Sequence, residues 1–240
     1  MNRLTLMLVV LLGAAFGAAG MWLAERAAPG DLGTADKARI ERVVHDYLLA
    51  HPEVIPQAMQ KLQERESGRA VAANRSRVET PYRGAIMGNP QGDVTLVEFF
   101  DYNCGYCRAS LPTIEQLVKS DPKLRVVFRE LPILADESRD AARASLAAAA
   151  QGRFAAFHEA LYAAGPVSAQ SIAAVARRTG VDLSKIPDDA DTEIAGNLGL
   201  AAKLGISGTP AWVVGDKVLS GALPLDRLQE AIAETRAARN

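Results

Sequence analysis

Apolar positions along the chain follow a different rhythm in each of its parts. Leu4 to Ala24 is an uninterrupted run without a charge, preceded by Arg3. Its 21 residues exceed the roughly 7 to 15 of a cleavable signal's apolar region and reach the about 20 that span a bilayer. Residues 1–24 therefore predict a signal peptide or a membrane anchor, with Gly17, Ala18 and Ala19 as small residues for a cleavage site. Either outcome places the remainder outside the cytosol, where disulfides form and persist.

Residues 30–66 switch to helical spacing. Asp36 is placed to cap a helix carrying Ile40, Val43, Val44, Tyr47 and Leu48 on one stripe; Pro52 restarts the chain, and Val54, Ile55, Ala58, Met59 and Leu62 form a second. Two short amphipathic helices cover little of each other, so this segment predicts packing on a partner chain, giving a homo-oligomer, or on the following domain. The polar stretch "ESGRAVAANRSRVET", ahead of Pro81, reads as a linker over 67–80 or a helical continuation, with a domain boundary near residue 80.

Beyond it the rhythm alternates between strand and helix. "VTLVEFF" (Val94 to Phe100) is mostly apolar and β-branched or aromatic, as a strand buried on both faces is. A helix over Arg108 to Lys119 and a strand over Leu124 to Leu131 complete a β-α-β unit, hence a parallel pair with a right-handed crossover. Asp136 to Asn197 is alanine-rich with breaks near Gly152, Gly165 and Gly180, a block of short helices. "AWVVG" and "KVLSG" predict a hairpin about Gly215 and Asp216, and Leu225 to Arg239 a closing helix. The fold class is α/β, with a helical subdomain inserted at about 136–200 and a helical N-terminal extension.

Composition narrows the chemistry. With 27 Lys and Arg against 28 Asp and Glu, nothing suggests a nucleic-acid partner. The two cysteines stand together in "DYNCGYC", residues 101–107. An exported framework of disulfides uses many cysteines at wide spacing, and a bridge closing so small a loop restrains the unfolded chain little. A zinc site needs about four ligands, and His45, His51 and His158 are not paired at ligand spacing. No metal or cofactor is therefore expected, and redox cycling is the leading reading. Its rival from another class is a module holding Cu(I) on the same two thiolates for tolerance or delivery. Cys104 falls where strand gives way to helix, and free N–H groups with the helix dipole favour a thiolate there. Cys107, one turn on, is placed as the resolving thiol.

"FFDYNCGYC" after a buried strand, with "GISGTPAWVVG" about a hundred residues later, resembles the thioredoxin superfamily, and the inserted helices make it similar to the DsbA branch over residues 81–238. "IERVVHDYLLAHPEVIPQAMQKLQ" further resembles the N-terminal segment of ScsC-like proteins. The resemblance implies a thiol-disulfide oxidoreductase or isomerase of the periplasm or another extracytoplasmic space. Its substrates are unfolded or misfolded exported proteins, and a membrane or periplasmic redox partner recharges it. Cys104 matches the nucleophile, Cys107 its partner, and Thr209-Pro210 the cis-proline loop that, with Gly105 and Tyr106, meets the substrate. Glu98 matches the acidic residue beneath the site, where burial raises its pKa and suits it to relay the proton of Cys107. Asp101 and Tyr102 read as surface residues shaping the rim, and Pro112 as a helix-kinking proline. Gly105-Tyr106 departs from the Pro-His of strongly oxidising relatives, removing a neighbour able to stabilise the thiolate.

Overall fold

The computed structural model describes residues 13–23 and 33–238. Residues 13–23 are helical; the rest of the apolar leader lies outside the described residues, and among those described no helix is long and apolar enough to cross a membrane. The chain divides into two compact units, residues 1–60 and 61–240.

In the first unit, helix α1 (Thr34–Ala50) buries none of its side chains. Its apolar stripe is open, with Val43 61% and Tyr47 55% exposed. Asp36 is not the cap: Gly33 takes that position, and Asp36 sits in the first turn, where its charge complements the dipole's positive end. Helix α2 (Val54–Glu79) starts in this unit and runs into the second. Residues 67–79, read as a linker or a helical continuation, are the latter: the C-terminal part of α2. The reason is a narrow contact: Val71 and Val78, two turns apart on one face, are buried among Leu200, Leu204 and Val213. So small a stripe in a polar, Arg-rich stretch leaves little periodic signal.

The second unit holds a five-stranded sheet in the order β1-β3-β2-β4-β5. Strands β2 (Val94–Phe100) and β3 (Leu124–Glu130) are parallel, in register from Val94 with Leu124 to Phe100 with Glu130. Strand β4 (Ala211–Val214) lies antiparallel to β2, and β5 (Lys217–Ser220) closes the expected hairpin. Gly215 turns it at φ 58°, a left-handed conformation that residues with a Cβ avoid. Strand β1 (Ile86–Gly88), antiparallel to β3, has no signal in the sequence, since three residues carry no period.

All seven residues of β2 are buried, so alternate side chains enter opposite cores. One core takes Leu96 and Phe100 from β2 with helices α3 (Gly105–Ser120), α4 (Asp136–Ala150), α5 (Phe154–Ala163), α6 (Ala169–Thr179) and α8 (Leu225–Ala237). The other takes Val97 and Phe99 with α2 and α7 (Ala190–Lys203). Helices α4 to α7 occupy the stretch between β3 and β4, a little beyond the expected 136–200. Helix α3 opens at Gly105, earlier than the expected Arg108, and Pro112 lies within it.

Candidate active site

Strand β2 ends at Phe100 and four residues later Cys104 is the N-cap of α3, in extended conformation. Its Sγ accepts from the Cys107 N–H at 3.4 Å, so the sulfur does what a Ser or Asp side chain does at an ordinary helix start. The Cys107 N–H is one of the first-turn donors that no carbonyl of the helix takes up, and the sulfur satisfies it. Its other neighbour is the Thr209 carbonyl, which accepts from Sγ at 3.2 Å. The Thr209-Pro210 bond is cis, bringing the loop before β4 against the cysteine. Both cysteines are free and buried, at 5% exposure for Cys104 and 1% for Cys107. Gly105 and Tyr106 form the open rim, Tyr106 at 71% exposure.

Beneath the pair the core turns polar. Glu98, in the middle of β2, is 1% exposed, with no face to water. Burial, then the neighbouring Cys104, pushes its carboxyl well above the usual range, and its Oε1 has no hydrogen-bond partner. Burial likewise drives the Cys107 thiol upward, with Glu98 adding to it. The buried setting therefore disfavours charge on both Glu98 and Cys107, and Glu98 adds to the effect on the thiol.

A second buried acid escapes the reading of the sequence. Phe100 pairs with Glu130, so Glu130 emerges on the sheet face that carries Glu98, one step along the neighbouring strand. Burial raises its pKa well above normal, and its Oε1 also lacks a partner. Tyr102, expected at the surface, is 1% exposed; its hydroxyl donates to Ser145 at 2.8 Å and lies 3.0 Å from His158 Nδ1. His158 is enclosed by Phe100, Phe128 and Phe154, and burial pushes its imidazole down to about 3, keeping it neutral. Asp101, also expected at the rim, is 1% exposed. The strand register reveals Glu130 once β2 and β3 are paired. His158 has no such signal, because its position depends on how the inserted helices pack.

A cysteine pair at a strand-to-helix junction, a cis-proline loop against the first sulfur and a buried acid below define a class: the thioredoxin-fold disulfide oxidoreductases. The model of the DSBA-like thioredoxin domain matches residues 95–233, more than half of the chain, and this protein belongs to that family. Residues 36–67 match the copper resistance protein ScsC N-terminal domain. Among solved structures, a linker-deletion mutant of Proteus mirabilis ScsC superposes with a TM-score of 0.72 at 28% identity, covering 88% of this chain and 100% of that one. A thioredoxin-like oxidoreductase from Silicibacter pomeroyi is 41% identical over 68% of this chain and 98% of its own, at a TM-score of 0.64. The thiol-disulfide exchange protein α-DsbA2 of Wolbachia pipientis gives 0.66 at 28% identity, covering 72% and 97%. The Na(+)/H(+) antiporter NhaA 1 of Salinispora arenicola is 29% identical over 160 residues, 63% of this chain. The chain spans about a quarter of that protein's length, 24%.

Proposed function

We propose that the protein exchanges disulfides with exported polypeptides in the periplasm or an equivalent extracytoplasmic space. One observation carries this reading: the Cys104 sulfur caps a helix and touches the Thr209 carbonyl of the cis-proline loop. As a reductant, the Cys104 thiolate attacks a substrate disulfide, forming a mixed disulfide and expelling one thiolate that takes a proton. Cys107 then gives up its proton, attacks the Cys104 sulfur and releases the second substrate thiol, so two electrons pass to the substrate. The same steps reversed insert a disulfide. From its ionised form Glu98 takes up the Cys107 proton, a carboxylate of raised pKa being the stronger base, and Thr209, Pro210, Gly105 and Tyr106 form the contact surface. Refolding of a reduced protein and rescue of a scrambled one test the reading; inactivity in both would overturn it.

The open stripe on α1, with Ile40, Val43, Val44 and Tyr47 exposed, supports self-association of the N-terminal segment. An oligomer presents several redox pairs to one substrate and suits isomerase or reductase work, whereas a monomer suits oxidation. Light scattering distinguishes them. The match of residues 36–67 to a domain named for copper resistance favours one further reading, that the free thiols also hold Cu(I). Titration with Cu(I) tests it: binding lost in the Cys104→Ala, Cys107→Ala double variant supports it, and retention there refutes it.

A further inference from the structure

Asp101 is the residue on which the segments around the redox pair converge. Its Oδ1 accepts from the Asn103 N–H at 2.8 Å and from the Ser138 hydroxyl, at the start of α4, at 2.7 Å. Its Oδ2 accepts from two successive backbone N–H groups, Ile133 at 2.8 Å and Leu134 at 3.0 Å. Its carbonyl accepts from the Cys104 N–H at 2.9 Å and from the Tyr162 hydroxyl of α5 at 3.0 Å. The residue is 1% exposed, so water does not compete for these contacts. A short side chain accepting four hydrogen bonds holds a loop in one conformation.

We propose that Asp101 is a positioning residue of the redox pair, whose hydrogen bonds tie the Cys104 turn to the Ile133-Leu134 loop and to α4 and α5 and thereby favour the dithiol over the disulfide. The asymmetry comes from covalent chemistry. In the disulfide the S–S bond itself holds Cys104 to Cys107, and a bonded sulfur is a weak acceptor. In the dithiol, Cys104 keeps its place only through its neighbours, and Sγ needs the Cys107 N–H within reach. Loosening the clamp therefore costs the reduced form more than the oxidised one. The half-reaction is balanced as for any such pair: the disulfide takes two electrons and two protons to give two thiols, and glutathione supplies both as it is oxidised.

This inference rests on the redox reading above, and the experiment separates the two. The full chain is equilibrated with reduced and oxidised glutathione, and the dithiol fraction is measured for wild type, Asp101→Asn and Ser138→Ala. Asp101→Asn is expected to shift the equilibrium constant about tenfold toward the disulfide, a potential about 30 mV more negative. Ser138→Ala removes one of the four donors to the Asp101 carboxyl group and is expected to shift it in the same direction by about threefold, near 15 mV on the same scale. A residue that only supports the fold lowers the urea midpoints of both redox forms equally and leaves the constant unchanged; that result overturns the proposal. Should Asp101→Asn fail to fold, Ser138→Ala decides alone, with no shift counting against the clamp. A wild-type chain that exchanges nothing with glutathione refutes the redox reading instead.

Discussion

The two cores of the second unit each contain buried charge-bearing groups, and they treat them in opposite ways. On one face of the sheet Arg129, 4% exposed, donates to the carbonyls of Arg77, Val78 and Thr80 and to Glu193 and Asn197. A guanidinium so enclosed stays charged because its donors are taken up by the end of α2 and one face of α7. On the other face Glu98 and Glu130 are equally buried, yet each keeps an oxygen without a partner, and burial raises the pKa of each well above the usual carboxylate range. His158 Nε2 and Thr209 Oγ1 complete the unpartnered buried side-chain atoms among the described residues. Thr209 touches Cys104, and Glu98 and His158 belong to the core that holds both cysteines. The satisfied charge builds the fold. The unsatisfied groups gather beneath the sulfurs, where protons must move and where burial costs of about 1 to 3 kcal/mol per group are tolerated.

Substitutions on the two faces should therefore fail in different ways. Cys104→Ala is expected to abolish disulfide exchange entirely while lowering stability by only about 1 kcal/mol through the lost cap. Cys107→Ala should still attack and then accumulate the mixed disulfide, visible as a mass adduct that reductant releases. Arg129→Met leaves three carbonyls without their donor and is expected to cost about 3 kcal/mol in urea unfolding. Its activity per folded molecule should be unchanged. A variant that stays stable but turns over slowly would erase the contrast between the faces. Glu98→Gln should do the reverse, slowing resolution of the mixed disulfide by about 100-fold with no loss of stability, as read by rapid-quench trapping.

The same contrast explains what can be read from sequence. Strands β2 and β3 are legible because strands buried on both faces are nearly continuous apolar runs, so Glu98 stands out as an anomaly inside "VTLVEFF". The cysteine pair is legible because its spacing and its place after a strand leave few alternatives. Asp101 and Tyr102 mislead because a polar pair beside a turn ordinarily faces water, and only the packing of α4 and α5 over that turn buries them. Arg129 looks like an ordinary strand residue; its partners lie 49 to 68 positions away in sequence. The C-terminal part of α2 stays undecided between linker and helix in the sequence because Val71 and Val78 are the buried residues of a polar stretch.

The pH dependence of stability sharpens the comparison most, because it reads protonation directly. Glu98 has a folded pKa above its ordinary value of 4.5. Between those two values the unfolded chain has released this proton and the folded chain has kept it, so folding stability falls as pH rises. The slope is about 1.4 kcal/mol per pH unit for one such group. His158 works against it: its imidazole is pushed from 6.5 to about 3, so the unfolded state binds the proton the folded state refuses, and stability rises with pH over that window. In wild type the two slopes mask each other, with Glu130 adding to the downward one. Glu98→Gln removes a downward contribution and leaves His158 in place. Urea titrations at intervals from pH 4 to 7.5 should show the variant gaining on wild type as pH rises from 4.5 toward the folded pKa of Glu98. A constant difference across that range would mean that Glu98 ionises in the folded protein as it does in water, and that both faces of the sheet hold their charges alike.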